Sequence, residues 1–180
     1  MVRLHAKQLF LVILICPLLL AAQTAPPKDR WEPFRYFIGT WKGTGKGEPG
    51  VSTLEREYKI VLGNKFINVT HKSRYEPQPK NPKGETHEDW GYISFDRVRK
   101  VYVLRQFHVE GFVTQYYAQT LTADGKTIVF LSENLENLPA GYRARETYKI
   151  LNENEFIEVF ELAPPGKDFS VYSENHFKRQ

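Results

Sequence analysis

Leu54-Glu55-Arg56-Glu57-Tyr58-Lys59-Ile60-Val61-Leu62, then Gly63-Asn64, then Lys65-Phe66-Ile67-Asn68-Val69, reads as a strand, a turn and a returning strand. Leu54, Arg56, Tyr58 and Ile60 fall on one face of an extended chain; Glu55, Glu57, Lys59 and Val61 fall on the other. Strand side chains alternate between faces, whereas a helix repeats its apolar positions every three or four residues. Gly63 and Asn64 accept positive φ at low cost, which suits a tight turn between antiparallel neighbours.

The same pattern continues in both directions. Upstream, residues 40–47 form a glycine-rich first strand. Downstream, the alternation predicts strands at 66–75, 87–95, 100–109, 112–121, 127–131, 142–150, 155–162 and 169–178. Short turn sequences link them: Asp96-Arg97-Val98-Arg99, Glu110-Gly111, Asp124-Gly125, Asn152-Glu153-Asn154 and Pro164-Pro165-Gly166. Pro77, Pro79 and Pro82 make 76–85 an exposed loop, and 133–141 reads as another long one. Before the strands, Trp31, Phe34, Phe37 and Ile38 have a rough helical spacing, with Pro33 tolerable in a first turn. That predicts one short helical turn closing the base of the domain. No long amphipathic helix and no long-period repeat is visible. About ten strands with short links leave two edges, and an all-β, antiparallel, up-and-down barrel removes them by pairing first with last. A two-sheet sandwich is the rival arrangement.

The N-terminal end has a different character. Arg3, His5 and Lys7 precede an apolar run of 12 residues, 9–20, broken only by Pro17. That run is short of the roughly 20 residues of a membrane anchor and suits a signal peptide, with Ala21 and Ala22 before the cut. The expected organisation is 1–22 signal, 23–29 flexible leader and 30–180 barrel domain, in a periplasmic or secreted protein with no stable membrane span after cleavage. The single cysteine, Cys16, leaves with the signal, so the mature chain has no disulfide, thiolate nucleophile or cysteine-based zinc site. Loss of Arg3 and Lys7 brings the formal charge from +4 to +2. No dense Lys/Arg stripe remains, so nucleic acid has little electrostatic support as a partner.

No catalytic constellation stands out. His71, His87, His108 and His176 show no His-x-His or His-Glu-x-x-His spacing. His87 and Asp89 share a strand face about 7 Å apart, which is half of a metal or acid–base site, or a solvated pair. Glu55 with Glu57, and Glu158 beside Phe160, read as outer-surface or hairpin carboxylates. The serines lack a nucleophile elbow, and Thr44-Gly45-Lys46-Gly47 is not a phosphate loop. The aromatic load is heavy, with 10 Tyr, 12 Phe and 3 Trp. Face parity assigns Arg56, Tyr58, Gln106, His108, Tyr116 and Tyr172 to a lumen that takes a small apolar or amphipathic molecule. An inward Arg56 needs an acidic partner or a ligand carboxylate, because a buried unpaired charge is costly.

Three local stretches carry a family resemblance: residues 37–45 with Phe37-Ile38-Gly39-Thr40-Trp41, then Leu62-Gly63-Asn64-Lys65-Phe66-Ile67, then Glu88-Asp89-Trp90-Gly91-Tyr92 through Phe95-Asp96. Together they resemble the calycins, and among these the bacterial lipocalin-like domains and nitrobindin-like haem-binding barrels related to fatty-acid-binding proteins. The resemblance implies that Gly39 and Trp41 start the first strand, that Trp41 closes the barrel base, and that Arg179 or Lys178 packs on the indole. It implies ligand binding without catalysis, and it makes haem a possible cofactor. Nitrobindin-like proteins hold haem iron through a His in the last strand; matching C-terminal ends puts Tyr172 there. His176 lies on the same face of a regular strand, about 13 Å further. A structural or interaction module of the cell envelope is the remaining reading.

Overall fold

The computed structural model describes residues 29–180. The signal, its cleavage point and the leader up to Lys28 lie outside these residues. Ten antiparallel strands form one closed barrel: β1 (Gly39–Gly47), β2 (Gly50–Val61), β3 (Phe66–Tyr75), β4 (Glu85–Asp96), β5 (Val101–His108), β6 (Val113–Leu121), β7 (Thr127–Glu136), β8 (Arg143–Asn152), β9 (Glu155–Ala163) and β10 (Ser170–Arg179). Each strand pairs with its sequence neighbours, and β1 closes the ring against β10 from Trp41 opposite Arg179 to Gly47 opposite Ser173. The architecture is the lipocalin-like up-and-down barrel, and no sheet edge is left open.

Leu54, Arg56 and Tyr58 point inward with Ser52, and the intervening residues of β2 face out. At the Gly63 turn, Leu62, Gly63 and Asn64 all take left-handed φ, and the Lys65 N–H donates to the Val61 carbonyl at 3.2 Å. Two segments run longer than alternation alone suggests. β2 begins at Gly50, because residues 48–49 are enough to turn the chain from β1. β7 continues to Glu136, through residues expected to be loop. Its register against β6 shifts at Glu133, so the period of two breaks there and resumes beyond.

One end of the barrel is plugged. A 3-10 helix, Glu32–Phe37, buries Phe34 and Phe37, and Trp31 precedes it. Phe34 packs edge-on to Tyr102 with ring centroids 4.8 Å apart, and Phe37 does the same to Phe156 at 5.1 Å. Hydrogen bonds pin this plug to the turns around it: Trp31 Nε1 donates to the Asn64 carbonyl at 2.9 Å, Tyr36 to Asn152 at 2.8 Å, and Tyr102 to Arg30. Trp41 is fully buried and donates through Nε1 to the Phe37 carbonyl at 2.7 Å. The Arg179 guanidinium lies 4.2 Å from the Trp41 ring centroid and donates to the carbonyls of Ile38 and Tyr36. The cation–π contact and two carbonyl bonds tie the last strand to the chain start. Gly39, with φ of 121°, sits where an L side chain would be strained.

Candidate functional site

The other end opens into a cavity of about 430 Å³, within the range of small-molecule sites. Leu54, Phe112, Leu135, Phe160 and Leu162 supply apolar wall. Arg56, His71, Gln106, Glu146 and Glu158 supply a polar floor, and Tyr75, Tyr142 and Tyr172 stand nearer the mouth. The mixed lining follows from the strands themselves, each of which sends alternate residues inward along the barrel axis.

The floor is built on an ion pair. Arg56 donates to Glu158 through both terminal nitrogens, at 2.7 and 2.8 Å. Its Nε donates to His71 Nδ1 at 3.1 Å, a terminal nitrogen donates to the Tyr58 hydroxyl at 3.3 Å, and the guanidinium covers the Phe177 ring at 4.5 Å. Asn175 adds a bond to Glu158 at 2.9 Å. Burial opposes the Glu158 charge, but the Arg56 guanidinium holds its carboxyl below the ordinary range. Burial, and then Arg56, push His71 down to about 3, so this imidazole is neutral and accepts. The partner that Arg56 requires is therefore within the protein. Glu158, expected on the outside or in a surface hairpin, instead points inward from β9. Its neighbours Ile157 and Val159 gave the sequence pattern no strongly polar outer face against which to set it.

Glu146 is the residue that the sequence reading missed. It is buried on β8, and Tyr148 donates to it at 2.5 Å. Burial, and then the Glu158 carboxylate, push it up to about 7. Among the described residues no cation bonds to it, which separates it from Glu158. The signal was present in principle: Ala144, Glu146 and Tyr148 share a face of β8, and the apolar neighbours mark that face as inward.

The six expected lumen residues divide into groups. Arg56, Gln106, His108 and Tyr172 line the cavity. Tyr58 lies below the floor, buried against Arg56. Tyr116 is inward but fully packed in the core and lines no part of this cavity. Gln106 Oε1 is a buried oxygen without a hydrogen-bond partner in the protein.

At the mouth, β4 and β5 bring two histidines onto one carboxylate. His108 lies opposite Asp89, and its Nδ1 is 2.7 Å from Asp89 Oδ1. His87 Nε2 is 3.1 Å from the same oxygen, and His87 Nδ1 is 2.5 Å from Glu110 Oε1. The hydrogen bond to Asp89 is the main influence that raises His87 to about 9. Burial opposes the Asp89 charge, but the bonds from His108 and His87 hold its carboxyl well below the usual range. His87 and Asp89 are thus not a solvated pair. Their third partner is 19 residues away along the chain, so no linear spacing motif reveals it.

The expected geometry of the last strand needs correction. The register of β10 against β9 shifts between Val171 and Ser173, making Tyr172 an extra residue. Tyr172 and Ser173 both line the cavity, and parity beyond them is reversed. Phe177 and Asn175 point inward, while His176 faces out toward Glu155, 3.6 Å away. Tyr172 and His176 do not share a face. A tyrosinate haem ligand is a phenolate, and burial, then Tyr75, Glu85, Glu110 and Glu48, push the Tyr172 phenol up.

A closed barrel plugged at one end and hollow at the other defines the fold class of this protein. Among solved structures, the protein Rv2717c from M. tuberculosis is similar over 83% of this chain and 96% of its own, with a TM-score of 0.65 and 18% identity. That likeness is one of fold. A designed fluorescence-activating β-barrel overlaps less well, at a TM-score of 0.43 and 14% identity over 81% of this chain and 94% of the design. A second designed barrel, bound to DFHBI, also gives 0.43, at 10% identity over the same shares of the two chains. No family model matches the sequence, and no curated protein matches it.

Proposed function

We propose that this protein is a non-catalytic, calycin-like binding barrel that takes one small amphipathic molecule into its open end. The observation that carries this reading is the cavity of about 430 Å³, open at one end and lined by both apolar and polar side chains. The apolar body of the ligand lies against Leu54, Phe112, Leu135, Phe160 and Leu162, and a hydroxyl or amide faces the polar floor. Arg56 is already committed to Glu158, which favours an uncharged polar group over a carboxylate. The polar floor supports a less apolar ligand than the sequence suggested. A solid envelope module would need no such space.

Extraction of natively purified protein, followed by mass spectrometry, should recover a co-purifying small molecule in near-stoichiometric amount. Leu135→Trp, placed on the cavity wall, should lose that molecule while circular dichroism shows the barrel intact. Recovery of the same molecule from both proteins would place it elsewhere and refute the reading. We also infer export with removal of 1–22, supported by the basic start, the apolar run and the small residues that follow. N-terminal sequencing of the protein from separated cell fractions tests this, and an intact Met1 in the cytoplasmic fraction would refute it.

A further inference from the structure

Asp89 is a half-buried carboxylate at the cavity mouth, and its partners among the described residues are two imidazoles, with no lysine or arginine on it. Carboxylates shielded from water are ordinarily paired with a fixed cation. Here both partners are imidazoles, whose ring nitrogens are also metal donors. One donor atom from each of His87, Asp89 and His108 lies within 4.8 Å of the other two. We propose that His87 Nε2, Asp89 Oδ1 and His108 Nδ1 form a binding site for one divalent transition-metal ion of the zinc class.

The distances suit such an ion. A tetrahedral centre with bonds of about 2.0 Å holds its ligand atoms about 3.3 Å apart. The two edges that share Asp89 Oδ1 measure 3.1 and 2.7 Å, both close to that spacing. The frame is already rigid. His87 and Asp89 are two residues apart on β4, and His108 is paired with Asp89 across the ladder. Val109 N–H donates to the Glu88 carbonyl at 3.0 Å and His108 N–H to Phe112 at 3.1 Å, which fixes the β5 end of the site.

The surroundings have the form of a metal site too. A metal-ligating histidine commonly gives its other nitrogen to a carboxylate, which orients the ring. Glu110 Oε1 is in that position, 2.5 Å from His87 Nδ1. The His108 ring packs near Phe112, with centroids 5.8 Å apart, which limits water on that side. Imidazole donors favour zinc, copper, nickel or iron over calcium and magnesium, which prefer all-oxygen shells. All three ligands line the cavity. Three protein ligands leave a fourth position for water or a ligand oxygen.

Zinc alone is the probe. Full-length mature protein, stripped with a chelator, is titrated with Zn²⁺ by calorimetry, and with Co²⁺ to read ligand geometry from its visible spectrum. One ion per chain is expected. Glu110→Gln should weaken binding by about 10-fold to 100-fold, the range for a ring-orienting carboxylate. Asp89→Asn and His108→Ala should each weaken it more. His176→Ala, on the outer wall, should leave it unchanged. Tryptophan fluorescence reports whether each variant folds, and His87→Ala replaces any that does not. Absence of stoichiometric uptake by the wild-type protein overturns the proposal. So does uptake that survives the loss of two of the three ligands. The titration needs nothing in the cavity, so its failure leaves the ligand-binding reading standing.

Discussion

Arg56 is only 5% exposed, yet its Nε and both terminal nitrogens donate to protein acceptors. The Arg56–Glu158 pair is best understood as a floor that must remain complete. Removing one partner of a buried pair leaves an uncompensated charge, which costs about 3–5 kcal/mol, whereas replacing both with apolar groups is much milder. Glu158→Gln should therefore lower stability by about that amount in a urea melt, and Arg56→Met with Glu158→Leu should recover most of it. Equal losses in the single and double variants would show that packing around Phe177, not charge pairing, governs the site. Trp41 poses a simpler case. It is fully buried between the Phe156 ring, 4.8 Å away, and the Arg179 guanidinium. Trp41→Ala should cost about 3–5 kcal/mol, the range for emptying a large aromatic site. A loss below about 1 kcal/mol would mean that the plug repacks and that Trp41 does not secure the barrel base.

Among the elements, β1 is the strand whose glycines decide closure. A Cβ on Gly43 would stand 2.1 Å from the His176 carbonyl oxygen and 3.1 Å from Phe177 Cα, both backbone atoms of β10. Neither can move without opening the seam. Gly43→Ala should therefore destabilise by at least the roughly 1–3 kcal/mol typical of overpacking, while Lys42→Ala, on the outer face beside it, should change stability by less than about 0.5 kcal/mol. Thermal melts of the two variants make the comparison, and equal effects would show that the seam tolerates separation. The strands were legible because the period of two survives along most of each one, as in Leu54 to Ile60. It fails at bulges. Glu133 hid the second half of β7, and Tyr172 reversed the parity that had placed His176 inward. A bulge adds one residue without a reliable side-chain signature, so alternation cannot count through it. The candidate site suffered most from this limit and from cross-strand pairing. Arg56, Gln106 and His108 could be placed by parity on their own strands. The partners Glu158 and Asp89 acquire meaning only when barrel closure brings the inward side chains of β9 and β2 together and β4 lies beside β5.

At the scale of the whole molecule, one end is sealed by aromatic packing and the other keeps buried carboxylates around a cavity, so stability and pH are linked through the open end. Glu146 is the group that separates from the rest. It faces Tyr148 on its own strand, Tyr116 on β6, Gln106 on β5, and Arg56 and Glu158 across the floor. Its carboxyl rises from an ordinary 4.5 to about 7 through burial and then Glu158. The folded protein therefore binds a proton at Glu146 more tightly than the unfolded chain does. This contribution to stability is fully present below about pH 4.5 and is lost as pH rises through about 7. Other groups, Glu158 among them, work in the opposite sense, so the Glu146 effect is read as a difference from Glu146→Gln, which keeps the shape and carries no titration. Between about pH 5 and about pH 8, wild-type protein should lose about 2–3 kcal/mol relative to Glu146→Gln in parallel urea melts. A difference independent of pH, or one that grows in favour of the wild type at alkaline pH, would mean that Glu146 is ionised throughout and that the cavity floor is wetter than its packing implies.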